Sequence, residues 1–274
     1  MLKTVFRHEA RALSRTAVLF LILFLAVATL GGGVGLIIGA LSTADYFPLI
    51  SGILMLLLVV LALSPLLLFA VYFILLVYRF YASLFTDEGY LTFMLPVRRG
   101  TLLFGKMLAG ALHLLAAMLT AAASYAIMAL LPRIVYKTGI GAMLYELFYS
   151  LFLSLSEGGL GWLTTTVFVL SLLAQLLSAL VLGYLAITLG AVFFRRHKLL
   201  GAVLFSVALY AVVQGLSNFL SIVILLLFFR DPEAMTSTAS LLTNGILTVL
   251  LFGGLTVSGY FLSYRLITRR LNLE

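Results

Sequence analysis

Six long apolar segments dominate this chain of 274 residues. They lie at about 17–41, 48–78, 102–131, 163–193, 199–229 and 241–266. Each supplies the roughly 20 apolar residues that a helix needs to cross a bilayer. In lipid every backbone polar group must bond internally, and no alternating pattern of a β-barrel is present. The sequence therefore predicts an all-α polytopic membrane fold, with six transmembrane helices in a single domain, 1–274.

The composition excludes a soluble globule. Apolar residues make up 64% of the chain and charged residues 9%, and the mean hydropathy is +1.24. The absence of cysteine excludes disulfides and thiolate metal sites, and we expect no metal site at all. The apolar run near the N-terminus is longer than that of a signal peptide, so we expect it to stay in the mature protein.

The basic residues fall almost entirely on one side of the predicted bundle. If the segments cross in turn, Arg133, Lys137 and Arg230 lie on one side, and the remaining fourteen of the seventeen Lys and Arg lie on the other. Those fourteen are Lys3, Arg7, Arg11, Arg15, Arg79, Arg98, Arg99, Lys106, Arg195, Arg196, Lys198, Arg265, Arg269 and Arg270. The positive-inside rule makes that side cytoplasmic, with both termini. The net charge of +8 is then explained by topology, with no need for nucleic acid.

Residues 1–16 form a basic leader ahead of the first segment. Its basic residues recur every four positions, with apolar residues opposite: Lys3, Arg7, Arg11 and Arg15 against Leu2, Val5, Phe6 and Leu13. This pattern predicts an amphipathic helix on the inner membrane surface. Glu9 interrupts the apolar face, and its carboxylate would be better placed against a protein than against lipid. The leader is either an anchor alone or an anchor that also contacts a cytoplasmic subunit.

The segment 79–106, RFYASLFTDEGYLTFMLPVRRGTLLFGK, links the second and third spans. Thr86 can cap a short helix, the helix dipole favours Asp87 and Glu88 in its first turn, and Pro96 ends it. Its middle is apolar and aromatic: Tyr90, Leu91, Phe93, Met94 and Leu95. Such a helix is either a knob for a partner's socket or an interfacial helix whose aromatic side chains enter the headgroups.

The elements FY, LF, EGYLT, LPV, LL and GK stand in this segment at spacings that resemble a known family. They are similar to the cytoplasmic loop in the permease subunits of bacterial ATP-binding-cassette exporters of the type-2 class. In that family a connecting helix and a coupling helix contact a separate ATPase. The resemblance implies those roles for the leader (Arg7, Arg11 and Arg15) and for the loop (Asp87, Glu88, Gly89, Tyr90, Leu91, Phe93, Met94 and Leu95), followed by the basic turn of Arg98 and Arg99.

The predicted external segment, 132–162, departs from that family. In the family the large external element lies between the last two spans, whereas here it follows the third. Its apolar run, 142–155, is short for a span. We expect an external helix there that rests on the outer leaflet or dips into it.

The run from Gly100 to Lys106 matches the first seven positions of a phosphate-binding P-loop. The Ser or Thr needed for magnesium is replaced by Met107, and no strand precedes the first glycine. Zinc-protease and nucleophile-elbow motifs are absent from the sequence. We therefore expect that the chain is not an enzyme, and that ATP and magnesium bind in a partner ATPase.

No acidic or basic residue lies deep in a predicted span, which weighs against an ion-coupled carrier. The deep polar side chains are His113, Gln175, Gln214, Asn218 and Asn244, and most of them are expected to bond between helices. Gln175 and the pair Gln214 and Asn218, one helical turn apart, are our candidates for a translocation pathway. A subunit interface is the other role open to that pair.

These patterns together lead to one expected function and one alternative. The resemblance implies an exporter permease in the bacterial cytoplasmic membrane, moving a hydrophobic or peptide-like substrate by alternating access. Its expected partners are an ATPase subunit, membrane lipids, and a second copy or a related permease. The alternative is a multispan carrier or scaffold that works without an ATPase.

Overall fold

The computed structural model describes residues 2–42, 48–86, 89, 94, 97–136, 146, 149, 161–194, 197–228 and 238–269. Within these ranges the chain is all-helical. Its helices are α1 (Leu2–Ser42), α2 (Pro48–Phe85), α3 (Arg99–Tyr136), α4 (Gly161–Phe193), α5 (Lys198–Phe228) and α6 (Thr238–Arg269). All six are long and apolar enough to cross a membrane. The predicted six-span, all-α fold is confirmed, and it fits a multi-pass membrane protein.

The leader and the first span form one helix. α1 has 41 residues without a break, a length of roughly 60 Å, or twice the thickness of a hydrocarbon core. No glycine or proline precedes Gly31, so nothing in the sequence interrupts the backbone hydrogen bonds. Residues 2–16 are therefore the first turns of the spanning helix. A leader that lies on the membrane surface stays a prediction.

α2 continues through Pro65, a residue that normally breaks a helix. A proline cannot donate to the carbonyl four residues earlier, which here belongs to Leu61. The Ser64 hydroxyl donates to that carbonyl instead, at 2.6 Å. The sequence Ser64-Pro65 thus supplies its own replacement hydrogen bond, as a proline within lipid requires.

Tertiary contacts divide the chain into two compact units. Unit 1 contains residues 1–9, 76–111 and 154–274, and unit 2 contains 10–75 and 112–153. In unit 1, α4 packs along α6 and α5 and is the most buried of the helices. Gly190 allows a close approach of α4 to α5, because a Cβ atom there would overlap the backbone of Ala202.

In unit 2, α1 packs on α2 and α3. The rings of Phe20 and Tyr72 lie 4.9 Å apart, and the Ser124 hydroxyl of α3 donates to the Phe24 carbonyl of α1 at 3.1 Å. Gly31 and Gly32 face side chains of α3, and a Cβ atom on either would collide with them. These two glycines therefore serve close packing inside the chain.

The predicted external helix at 142–155 lies outside the described residues, apart from Glu146 and Tyr149. Both of these side chains are exposed. The flanking helices end and begin close to the predicted boundaries, since α3 ends at Tyr136 and α4 begins at Gly161.

Candidate functional site

A buried ion pair joins the leader to the start of α3. The Lys106 ammonium donates to Glu9 Oε2 at 2.9 Å, and the two side chains are 6% and 11% exposed, respectively. Two charges withdrawn from water are stable only as a pair, so each residue needs the other in place. The predicted preference of the Glu9 carboxylate for a protein surface is met by the chain's own third helix.

A glycine beside Lys106 lets the leader pack closely against α3. A Cβ atom on Gly105 would lie 2.9 Å from Cγ1 of Val5 and 3.7 Å from Cδ1 of Leu2. Only a hydrogen at this position lets the first turns of α1 approach α3 so closely. Gly105 and Lys106, the last two residues of the segment 79–106, therefore supply the space for close packing and the charge that pairs with Glu9.

The start of α3 is also attached to the end of α6. Arg99 Nη1 donates to the carbonyls of Ile267 and Thr268, at 3.2 and 3.3 Å. These carbonyls lie in the last turn of α6, where the helix dipole favours a cation. The aromatic ring of Tyr264 covers Gly100, where a Cβ atom would lie 3.2 Å from it.

The end of α2 is held by α4 and α5. The rings of Phe80 and Tyr184 stack with their centroids 3.9 Å apart. Lys198, the first residue of α5, donates to the carbonyl of Phe85, the last residue of α2, at 3.5 Å. The helices on both flanks of the 86–98 loop thus belong to unit 1, together with residues 1–9 of the leader.

The described part of the loop begins with a tight turn. The Gly89 amide donates to the Thr86 carbonyl at 2.8 Å, and a Cβ atom on Gly89 would overlap the carbonyl of Leu84. The Thr86 hydroxyl donates backwards to the Ala82 carbonyl. Gly89, from the EGYLT element, is therefore a position that only glycine fits.

The predicted coupling residues divide into three groups. Gly89 is buried, while Met94 and the arginines Arg7, Arg11, Arg15, Arg98 and Arg99 are exposed. Asp87, Glu88, Tyr90, Leu91, Phe93 and Leu95 lie outside the described residues, as does the predicted short helix that they form.

The P-loop-like run is part of a helix. Gly100 to Lys106 all lie in α3, so their backbone amides are directed along the helix and do not form a loop around a phosphate. Lys106, the residue that would contact phosphates in a P-loop, is bonded to Glu9. The structure thus places this run within a helix.

Of the predicted pathway residues, the structure brings together two. Gln214 Nε2 donates to Asn218 Oδ1 at 3.3 Å, and both side chains are exposed on α5. Gln175 is exposed on α4, and Asn244 is exposed on α6. His113 is buried on α3, as expected for a histidine in helix packing.

Sequence reasoning missed Lys106 as a functional residue. The signal was Glu9, a single carboxylate in an otherwise basic leader, which predicts a basic partner on the same side of the membrane. The sequence offers many such partners, and only the fold selects Lys106 among them. Comparison of the chain with protein-family models, with curated proteins and with solved structures found no match.

Proposed function

We propose that this chain is the permease subunit of an ATP-binding-cassette exporter, driven by a separate ATPase that binds the leader and the 86–98 loop. The observation that carries the proposal is the buried bond between Glu9 and Lys106. It gives the basic end of α1 a rigid attachment to α3. A protein that pushes on the leader would therefore move a long apolar helix.

The contacts around the loop would pass a displacement of the loop on to other helices. α2 ends against α4 and α5, and α3 begins against α6 through Arg99. Because these contacts lie within one compact unit, a displacement of the loop would be shared by several helices. Nucleotide-driven closure of two ATPase subunits would then tilt the spans and alternate access between the two sides of the bacterial cytoplasmic membrane.

The proposed substrate is hydrophobic or peptide-like, and its pathway lies along α5. The exposed amides of Gln214 and Asn218 offer hydrogen bonds at mid-helix among large exposed apolar side chains such as Val207, Tyr210 and Phe219. A single chain supplies only half of the usual assembly in the family that the sequence resembles. The complete transporter would contain a second copy or a related permease.

The test compares two loop residues with two matched residues of the predicted external segment, 132–162. Glu88→Ala and Tyr90→Ala are made in the tagged full chain, and Glu146→Ala and Tyr149→Ala serve as controls because both are exposed outside the loop. The chain is purified in mild detergent with its bound ATPase. We expect the loop variants to retain about one tenth of the co-purifying ATP hydrolysis, because hot-spot residues at interfaces carry 2 kcal/mol or more.

Both controls should keep the full ATP hydrolysis of the unaltered complex. Unchanged assembly and unchanged hydrolysis in both loop variants would contradict the proposal. Uphill solute movement by the chain alone in vesicles, driven only by an ion gradient, would establish the carrier alternative instead.

A further inference from the structure

An almost entirely apolar cavity of about 230 Å³ lies in unit 2 between α1, α2 and α3. One wall is a continuous face of α1 from Ser14 to Phe24, and another is the part of α3 from Leu112 to Thr120. Ten residues of helix measure about 15 Å, so the cavity is elongated along α1. Its rim contains Val18 and Leu112, which are 57% and 52% exposed. The cavity therefore has a shape and a lining that suit a hydrocarbon chain entering from the bilayer.

Two basic residues of α1 lie near Ser14, the first lining residue of this cavity along the helix. Arg11 precedes Ser14 by one helical turn, Arg15 precedes Val18 by one turn, and both arginines are exposed. The carboxylate nearest to them along α1, that of Glu9, is bonded to Lys106 and does not neutralise them. Guanidinium groups bind phosphate with paired hydrogen bonds, and they remain charged at any physiological pH.

We infer that this cavity binds one acyl chain of an anionic phospholipid, whose headgroup phosphate is bound by Arg11 and Arg15. The acyl chain fills the space between α1 and α3, where the side chains of Ala17, Ala116 and Ala117 are too small to do so. An anionic lipid is favoured over a zwitterionic one because a net negative headgroup meets two cations without a competing ammonium group. The site shares Arg11 and Arg15 with the leader of the proposed function, but it uses neither the loop nor the pathway residues, and lipid binding by the chain alone is measured without any ATPase.

The test measures lipid retention by the purified full chain with native mass spectrometry. The chain is mixed with phosphatidylglycerol or with phosphatidylcholine of identical acyl chains at equal concentration. Each basic residue near an anionic surface contributes about fivefold in affinity, so we expect phosphatidylglycerol to be retained at least tenfold better. The double variant Arg11→Gln and Arg15→Gln should remove that preference, with weak retention of both lipids remaining.

Cavity-filling variants test the acyl chain separately from the headgroup. Ala116→Phe and Val18→Phe fill the cavity from α3 and from α1, and each should lower retention of both lipids at least fivefold. Both positions are exposed at the rim, so either variant can accept the larger side chain without disturbing the core. Glycerophosphoglycerol, the headgroup without chains, should not compete with the whole lipid.

Matched controls lie elsewhere in the chain. Arg98→Gln removes another exposed arginine, and Ala211→Phe enlarges an exposed alanine on α5. Both should bind lipid as the unaltered chain does. Equal retention of the two lipids by the unaltered chain would overturn the assignment, as would full retention by a correctly folded cavity-filling variant.

Discussion

Two polar pairs in unit 1 lie in opposite surroundings. Glu9 and Lys106 are buried, are separated by 97 positions in sequence, and join two helices through a charged hydrogen bond of 2.9 Å. Gln214 and Asn218 are exposed and stand one turn apart on the same helix, with a hydrogen bond of 3.3 Å. The first pair joins α1 to α3, whereas the second lies on one helix with both side chains exposed.

The difference lies in what each pair still needs. In the ion pair each charge is neutralised by the other, and the surrounding side chains exclude water. A primary amide carries two N–H donors and an oxygen that accepts twice, so one bond between two amides uses only a small part of their capacity. Within hydrocarbon the remaining groups call for water or for another chain. The buried pair is complete within one chain, whereas the exposed pair keeps hydrogen-bonding groups that our proposal assigns to a partner or a hydrated pathway.

The largest predicted effect comes from breaking the buried pair on one side only. Glu9→Gln or Lys106→Met alone should destabilise the chain by about 3 kcal/mol, because each leaves one buried charge without its partner. The double variant should recover to within about 1 kcal/mol of the unaltered chain, since nothing charged remains. Denaturant unfolding in detergent measures all four members of this double-mutant cycle.

Glu146→Gln provides the control for the loss of an acid, because Glu146 is exposed. Its stability should stay within about 0.5 kcal/mol of the unaltered chain. Strictly additive losses in the double variant would mean that Glu9 and Lys106 do not act as a pair.

A smaller loss of stability is expected from enlarging Gly105, the glycine on which the leader packs. Gly105→Leu places a branched side chain where a Cβ atom already lies 2.9 Å from Val5, and the overlap should cost about 2 kcal/mol. The wedge also separates Glu9 from Lys106, so adding Glu9→Gln should cost much less in this background. Unfolding in detergent provides both values.

Gly33→Leu is the matched control for that substitution. Gly33 is also a glycine within a helix, and a Cβ atom there has no neighbour within 4 Å. It should be neutral or slightly stabilising, because leucine forms helices better than glycine. Equal losses of stability in Gly33→Leu and Gly105→Leu would mean that replacing a helical glycine is costly in itself. The packing of the leader on Gly105 would then not explain the loss.

The six helices could be predicted because bilayer thickness and hydrophobicity act on each segment separately. The predicted start of α2 at residue 48 and the predicted end of α4 at residue 193 match the structure. The helices extend beyond the apolar segments at their polar ends, most clearly at residues 2–16, where the leader continues directly into the first span. Charge and hydropathy locate the membrane-spanning part, while the absence of a helix breaker decides how far the helix continues.

The candidate site was less accessible to prediction. Contacts between distant residues, such as Lys106 with Glu9 or Arg99 with the end of α6, depend on how helices pack. Local pairs are different, since the spacing of Gln214 and Asn218 alone placed them on one face of a helix. The glycine of the EGYLT element came from the family resemblance, and the tight turn at Gly89 supplies a physical reason for it.

The smallest change in stability, and the sharpest test of the comparison, comes from the exposed pair. The double variant Gln214→Leu and Asn218→Leu should alter the stability of the single chain by no more than about 0.6 kcal/mol, the average value of a hydrogen bond between helices in a membrane protein.

Self-association in vesicles, measured by energy transfer between labelled copies, or substrate export should nevertheless fall several-fold, because the face that another chain or water would meet has become apolar. Ser206→Leu is the control on the same helix, since its exposed hydroxyl is already bonded to the Val203 carbonyl at 2.7 Å. The opposite result would be a loss of stability comparable to that of Glu9→Gln, with association and export unchanged. It would show that the two amides stabilise the fold of one chain, and the contrast between the two pairs would disappear.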